Sequence, residues 1–292
     1  AVRRRLEFRI LDLIILGILA ACALWVMHRV RVDLRYNWNW GVIPQYLFYY
    51  DQDQGEWVPN LLILGFMTTI KLSMWATLFA TIIGTVMALF RNSRSLFRRM
   101  VGRTYVELVR NMPPLVLVFI VYYFISDQVI RAIGLEGLLR SLSPGVQGFL
   151  AHCCAPVPKL PVFAAAVVML ALYEGAYITE IVRAGIQSIE RGQWEASSAL
   201  GFTRFQQLRH VIFPQAVVRI LPPLAGQVIS TIKDSAIVSV ISIQELTFQG
   251  MEIMSSTYRT FEIWITITAM YFALTFACSL VVRSLELSLQ RR

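Results

Sequence analysis

Apolar positions in this chain run in blocks too long and too continuous for a fold surrounded by water. Phe8–Met27, Leu61–Phe90, Tyr105–Ile130, Pro161–Ile186, Gln215–Ile243 and Phe261–Leu287 each reach the length at which a helix crosses a bilayer, about 20 residues. Polar or basic stretches separate them. The pattern predicts an all-α polytopic membrane protein with about six transmembrane helices. Between the fourth and fifth blocks the periodicity changes. Glu195–Leu200 is a good helix former, Gly201 stops it, and Thr203–Phe213 starts a second short helix before Pro214. Small Ala196 and Ala199 allow close approach there, while Glu195, Arg204 and Arg209 offer polar contacts, a shape suited to a groove on another protein or, on composition alone, to an ordinary amphipathic segment at the membrane surface.

Basic clusters orient the spans. Arg3–Arg5 precede the first block, and Arg91, Arg94, Arg98, Arg99 and Arg103 form a basic loop after the second. Arg291-Arg292 follow the last, while the segment between the first two spans carries Asp51, Asp53 and Glu56. The positive-inside rule then puts both termini in the cytoplasm. The first apolar stretch is too long for a signal peptide and lacks a small-residue cleavage site, so it reads as a retained helix. Residues 1–60 form one region, that helix plus an outer segment rich in tyrosine and tryptophan, partly an interfacial helix. Residues 61–292 form the transmembrane domain, with a cytoplasmic loop at 187–214. Ser126–Leu160 reads as an irregular outer connection and Gln244–Thr260 as an outer loop, with Pro222-Pro223 near the inner end of the fifth span. Pro113-Pro114 breaks the third span, and broken helices line cavities.

Composition agrees, at 57% hydrophobic and 15% charged residues. The net charge of +9 is accounted for by arginines beside the spans rather than by nucleic-acid binding. No GxxxxGK[ST] loop is present to cradle ATP phosphates, and no HExxH or nucleophile elbow occurs. His28, His152 and His210 are scattered, and Cys22, Cys153, Cys154 and Cys278 lack metal-ligand spacing. Vicinal Cys153-Cys154 would make a strained ring, so free thiols are expected. The chain is expected not to cradle ATP phosphates by the usual route, and it carries no recognisable catalytic pairing.

Ionisable residues inside spans are the functional candidates, since charge in the hydrocarbon is costly unless it faces a cavity or a partner. Glu174 falls in the middle of the fourth span with Tyr173 and Tyr177 one turn apart. Glu180 and Arg183 read as a structural ion pair. Lys233, Asp234 and Ser235 sit in the fifth span, where Lys233 could receive a carboxylate and Asp234 an ammonium group; a Lys233 bridge to Asp234 or Glu174 is the alternative. Pro113 joins them as a pathway residue.

Glu195-Ala196, Gly201, nine residues, then Val211 and Pro214 resemble the coupling-loop signature of ABC importer permeases. Ser197, Val211 and Phe213 depart mildly from it. Tyr173–Ile186, Arg191-Gly-Gln, Phe213-Pro-Gln-Ala, Lys233-Asp-Ser and Tyr105–Leu115 look like the polar amino acid subfamily (histidine, glutamine and arginine types), over about Asn60 to the C-terminus. The family's usual KDTS stands here as Lys233-Asp-Ser-Ala, and Gly226 replaces a common Asn. The resemblance implies a type I importer permease fold with an extra N-terminal helix, in a bacterial inner membrane. It implies a second permease, identical or homologous, and cytoplasmic ATPases that use ATP and Mg beneath Glu195, Ala196, Gly201, Arg204, Arg209 and Pro214. It further implies a periplasmic amino acid-binding protein, and no cofactor on this chain. Because many similar permeases carry a small or hydroxyl residue where Glu174 stands, its carboxylate points to a cavity preferring cationic amino acids. An ATP-independent secondary transporter or channel is the alternative, and it leaves the Glu195–Pro214 spacing unexplained.

Overall fold

The computed structural model describes residues 10–290 apart from 34–35, 54, 130–131 and 133. The orienting clusters Arg3–Arg5 and Arg291-Arg292 lie outside the described residues. The chain separates into two units, Ala1–Trp40 and Gly41–Arg292. In the first, helix α1 (Ile10–Asp33) carries the apolar stretch Leu13–Val26. Its 24 residues reach about 36 Å, against roughly 30 Å of hydrocarbon.

The second unit opens with α2 (Ile43–Leu47) and an antiparallel ribbon, β1 (Phe48–Asp51) with β2 (Glu56–Pro59), pairing Tyr50 with Trp57. A partly helical interfacial segment is expected here from the aromatic density; its helical part is α2, and the residues from Phe48 to Pro59 form this hairpin instead. The turn is the reason. Gly55 adopts φ +70°, and the Asp51 side chain accepts the Asp53 N–H at 2.9 Å.

The helices that follow are α3 (Leu61–Arg91), α4 (Leu96–Asn111), α5 (Pro114–Val121), α6 (Leu135–Arg140), α7 (Pro144–Cys153) and α8 (Leu160–Gln187). After them come α9 (Arg191–Ala199), α10 (Phe213–Asp234), α11 (Leu246–Thr257) and α12 (Thr260–Gln290). Four stretches are long and apolar enough to cross a membrane, Leu61–Arg91, Val157–Gln187, Arg204–Ile241 and Thr260–Ser284, and the pair α4 with α5 makes a fifth, bent by 113°. Among the described residues that makes four to five spans, roughly consistent with the six read from sequence; the apolar stretch of α1, Leu13–Val26, is shorter than the others.

Small residues set the packing. Leu72, Ala76, Ala80, Gly84 and Ala88 recur every fourth position along one face of α3 and are all buried. That face presses on α8 so closely that a Cβ on Gly84 would sit 2.6 Å from Ile178 Cγ2. Between spans in a bilayer, such close van der Waals contact supplies what hydrophobic transfer cannot. A central apolar cluster joins α3, α5 and α8 through Leu72, Val118 and Leu170, and a second joins α8 to α10 through Ile178 and Ile220.

Four sequence expectations change. The basic loop shortens to a turn, because Arg98, Arg99 and Arg103 lie on α4, which buries Gly102, Val106 and Val109 at helical spacing. The outer connection holds α6 and α7. The outer loop Gln244–Thr260 is mostly α11, started by the Glu245 carboxylate, which accepts the Thr247 and Phe248 N–H groups. Finally, the second coupling helix runs past Pro214 into α10. A wider π-helical turn at Gln207–Ile212 makes room for the proline ring, so the helical run begins at Arg204 and Pro222-Pro223 fall in its middle rather than near its inner end.

The bend after α4 has a local cause. Met112 and Pro113 each precede a proline and are held extended, at ψ 136° and 132°, so the helix cannot continue through them.

Candidate functional site

Midway along α8, Glu174 is 0% exposed. Its Oε2 accepts Gln227 Nε2 at 2.5 Å, while Oε1 is buried without a hydrogen-bond partner among the described residues. Thr231 and Asp234 flank the same carboxyl group. Gln227, Thr231 and Asp234 are spaced i, i+4, i+7, so one polar face of α10 meets α8. The hydroxyls of Tyr173 and Tyr177 lie 3.3 Å apart with their rings edge to face, and Arg110 of α4 lies over the Tyr177 ring, 5.2 Å from its centroid. Tyr105 donates to Leu172 O at 2.6 Å and pins α4 against α8.

The structure therefore brings Tyr173, Glu174, Tyr177 and Asp234 together and leaves three other candidates outside. Lys233 is exposed and turns into a separate groove of about 470 Å³ with Thr247, Trp264 and Tyr271. Neither alternative bridge from Lys233, to Asp234 or to Glu174, is among the described ion pairs. Ser235 is buried and donates to Ile232 O at 2.8 Å. Pro113 is exposed at the bend, beside a shallow groove with Glu107 and Asn111. Gln227, Thr231 and Arg110 were not singled out from sequence, although the first two continue a helical polar stripe with Asp234 in an otherwise apolar span.

At the basic end, Glu180 accepts both Nε (2.9 Å) and Nη2 (2.7 Å) of Arg183 and pairs with Arg91, which ties the end of α3 to α8. The predicted ion pair is thus one arm of a triad. The loop beyond is built to hold a corner. Gly201 adopts φ +77°, a left-handed conformation that strains any side chain with a Cβ. Thr203 caps the following turn in a reciprocal box with Gln206, and Gln207 Nε2 donates to Ser198 Oγ across the corner at 2.8 Å. Glu195, Ala196, Gly201, Arg204, Arg209 and Pro214 are all exposed on this element. Glu195 accepts from Arg191 at 2.9 Å, and Arg204 lies over the Trp194 ring, 4.1 Å from its centroid. Exposed apolar tips add to the face, with Leu200 at 74% and Phe205 at 69%. Sequence reasoning gave these two no role, because exposure of a leucine or phenylalanine cannot be read from a pattern.

Cys153 and Cys154 are free thiols, and burial together with the neighbouring Cys153 pushes the Cys154 thiol above its ordinary value.

Residues 80–292 match the family described as "Binding-protein-dependent transport system inner membrane component". The chain belongs to this family. Its members are the permease subunits of ABC importers, membrane components rather than enzymes, and they bind no cofactor of their own. This permease is 31% identical over 227 residues to the probable glutamine ABC transporter permease protein GlnM of Bacillus subtilis, covering 78% of this chain and 92% of that protein. It is 32% identical over 226 residues to the glutamine transport system permease protein GlnP of Escherichia coli, covering 77% and 91%. In three dimensions the permease resembles a chain described as an amino acid ABC transporter with histidines, at a TM-score of 0.64 and 32% identity over 86% of this chain and 99% of the other.

Proposed function

We propose that this permease forms the pathway of an ATP-driven importer for polar amino acids, with a preference for cationic ones, and that its Arg191–Pro214 element couples the pathway to a separate ATPase. The observation that carries the substrate reading is the buried Glu174 carboxyl with one unpartnered oxygen. A buried acceptor left without a donor costs about 1–3 kcal/mol, so an arriving ammonium or guanidinium group gains a charge-assisted bond at a place already held by Gln227. Asp234 adds a second carboxylate beside it, and Tyr173 and Tyr177 supply hydroxyls and aromatic faces for a cation. The names of the similar permeases support a polar amino acid, glutamine in two of them, and the similar structure is described with histidines. The basic side chains around Arg91, Arg94 and Arg98 support placing this end, and both termini, in the cytoplasm of a bacterial inner membrane.

In this reading, ATPases that use ATP and Mg sit beneath the Gly201 corner. A second permease completes the pathway, and a periplasmic binding protein delivers the amino acid to the opposite end. Closure of the ATPases carries α9 and its exposed tips with them, and the continuous helix from Arg204 to Ile241 transmits that motion to Gln227, Thr231 and Asp234. Residues 1–60 add a helix and an outer segment to the transmembrane domain of 61–292.

Uptake of labelled lysine, arginine and glutamine by the importer reconstituted in proteoliposomes tests the substrate reading. Glu174→Gln keeps the shape of the side chain and removes its charge. Cationic uptake should fall roughly 30-fold or more, the loss expected from a charge-assisted bond of ~2 kcal/mol, with assembly intact. Unchanged lysine and arginine uptake would sink the charge-selection idea.

A further inference from the structure

The β1–β2 hairpin lies before residue 80, where the family match begins, and the pathway makes no use of it. Its strand pairing sorts the side chains. Phe48, Tyr50 and Trp57 belong to one face, with the Tyr50 and Trp57 rings in edge-to-face contact at 5.7 Å. Trp57 is 69% exposed and Tyr50 is also open to its surroundings. Together with Pro44, Gln45 and Leu47 these aromatics line a concave surface of about 700 Å³.

The hairpin is held rigidly. Asn60 Nδ2 donates to Gln45 O at 2.6 Å, the Asn60 N–H donates to Leu47 O at 2.9 Å, and the Asn60 side chain caps α3. Beneath it, Ile43 and Leu62 pack with Leu246, Ile253 and Ile263. The ribbon is therefore joined to the ends of α3, α11 and α12 that lie opposite the coupling loop.

Charge decides what it faces. Asp51, Asp53 and Glu56 crowd the tip, and there is no lysine or arginine from Gly41 to Asn60, in a chain whose net charge is +9. An anionic tip is repelled by anionic headgroups and attracted to a basic surface. Exposed tryptophan and tyrosine beside an acidic rim is the composition of a protein-binding hot spot. A family named for its dependence on a binding protein supplies the partner.

We infer that the Phe48–Pro59 hairpin is a docking platform for the importer's solute-binding protein, which meets it with a basic patch that accepts Tyr50 and Trp57. The inference rests on the importer reading above. Docking there bears on the outer ends of α3, α11 and α12 and gives the delivered protein a rigid register over the pathway.

The test uses the complete importer in nanodiscs, with the purified solute-binding protein that stimulates its ATPase as probe. Binding is measured at low and physiological salt for the parent, for D51N/D53N/E56Q and for Trp57→Ala. Both variants should weaken binding about tenfold, the neutralised tip should flatten the salt dependence, and ATPase activity without the binding protein should not change. Equal affinity in parent and variants, with the parent stimulated normally, overturns the hairpin assignment and leaves the importer reading standing. If no solute-binding protein stimulates the parent complex, the importer reading falls and this inference with it. Quenching by brominated phospholipid that disappears in Trp57→Ala would put the hairpin in the bilayer and also overturn the assignment.

Discussion

Glu245 and Glu174 are both fully buried carboxylates, and their surroundings give them different roles. Glu245 takes hydrogen bonds from the Thr247 and Phe248 N–H groups at 2.9 and 2.8 Å and from Tyr271 Oη at 2.7 Å, with Thr69 Oγ1 at 3.4 Å. Its lone pairs are filled by the protein, so it holds α11 against α3 and α12. Glu174 keeps an unpartnered oxygen. Replacing Glu245 by alanine strands several buried donors and should destabilise the chain by roughly 3–5 kcal/mol, whereas Tyr271→Phe removes the hydroxyl's contacts with Glu245 and with Thr247 Oγ1 and should lose about 1–2 kcal/mol. Thermal unfolding of the detergent-purified protein checks the order. A melting temperature for Glu245→Ala equal to that of the parent would refute the structural role. The sequence offered a depth argument for Glu174, because it interrupts a long apolar run. It offered none for Glu245, because a helix cap that uses a glutamate is spelled like any loop residue.

Elements were legible where periodicity was long and failed where a proline or a cap decided the outcome. The long apolar blocks from Leu61 onward, the Gly201 corner and the break at Pro113-Pro114 could be read because each rests on a local rule. The course of the chain past Pro214 could not, since it depends on a π-helical turn whose stability comes from packing of Ile212 and Ala216 into the apolar cluster between α8 and α10. The hairpin was missed for a similar reason, aromatic density having masked its alternating faces. The Gly201 corner carries the prediction at this scale. Its φ of +77° disfavours a β-branched residue by about 1–2 kcal/mol locally, so Gly201→Val should displace the exposed tips Leu200 and Phe205 while the spans stay folded. The protein should still reach the membrane, and reconstituted importer should hydrolyse ATP with uptake per ATP reduced several-fold. Gly201→Asn, which tolerates the left-handed conformation, should keep most of the coupling. Full uptake per ATP in Gly201→Val would argue against a coupling role for the corner.

Across the whole molecule, polar and exposed surfaces are distributed as expected of a subunit rather than a complete transporter. The most apolar window of α12 is only 6% buried, and Lys233 opens into a groove beside it with Trp264 and Tyr271. A lysine deep in a span is costly to leave facing lipid, and a neighbouring protein subunit removes that cost. The Gly201 corner presents exposed apolar tips with arginines beside them, a composition that also asks for a protein partner. Two unfilled surfaces on different sides predict two kinds of neighbour, a permease along α10 and α12 and an ATPase beneath α9. Gentle detergent extraction from the native membrane, followed by native mass measurement, should return this 33.3 kDa chain with a second permease and nucleotide-binding subunits. A second copy of this chain in the complex would make the pathway homodimeric, and a different permease would make it heteromeric. Lys233→Leu should weaken the permease pair if the groove is buried at that contact, and an unchanged pair would move the contact elsewhere on the molecule. Recovery of the chain alone under several mild conditions would refute the coupled assembly, because the exposed corner and the lysine in the span would then have to be explained without partners.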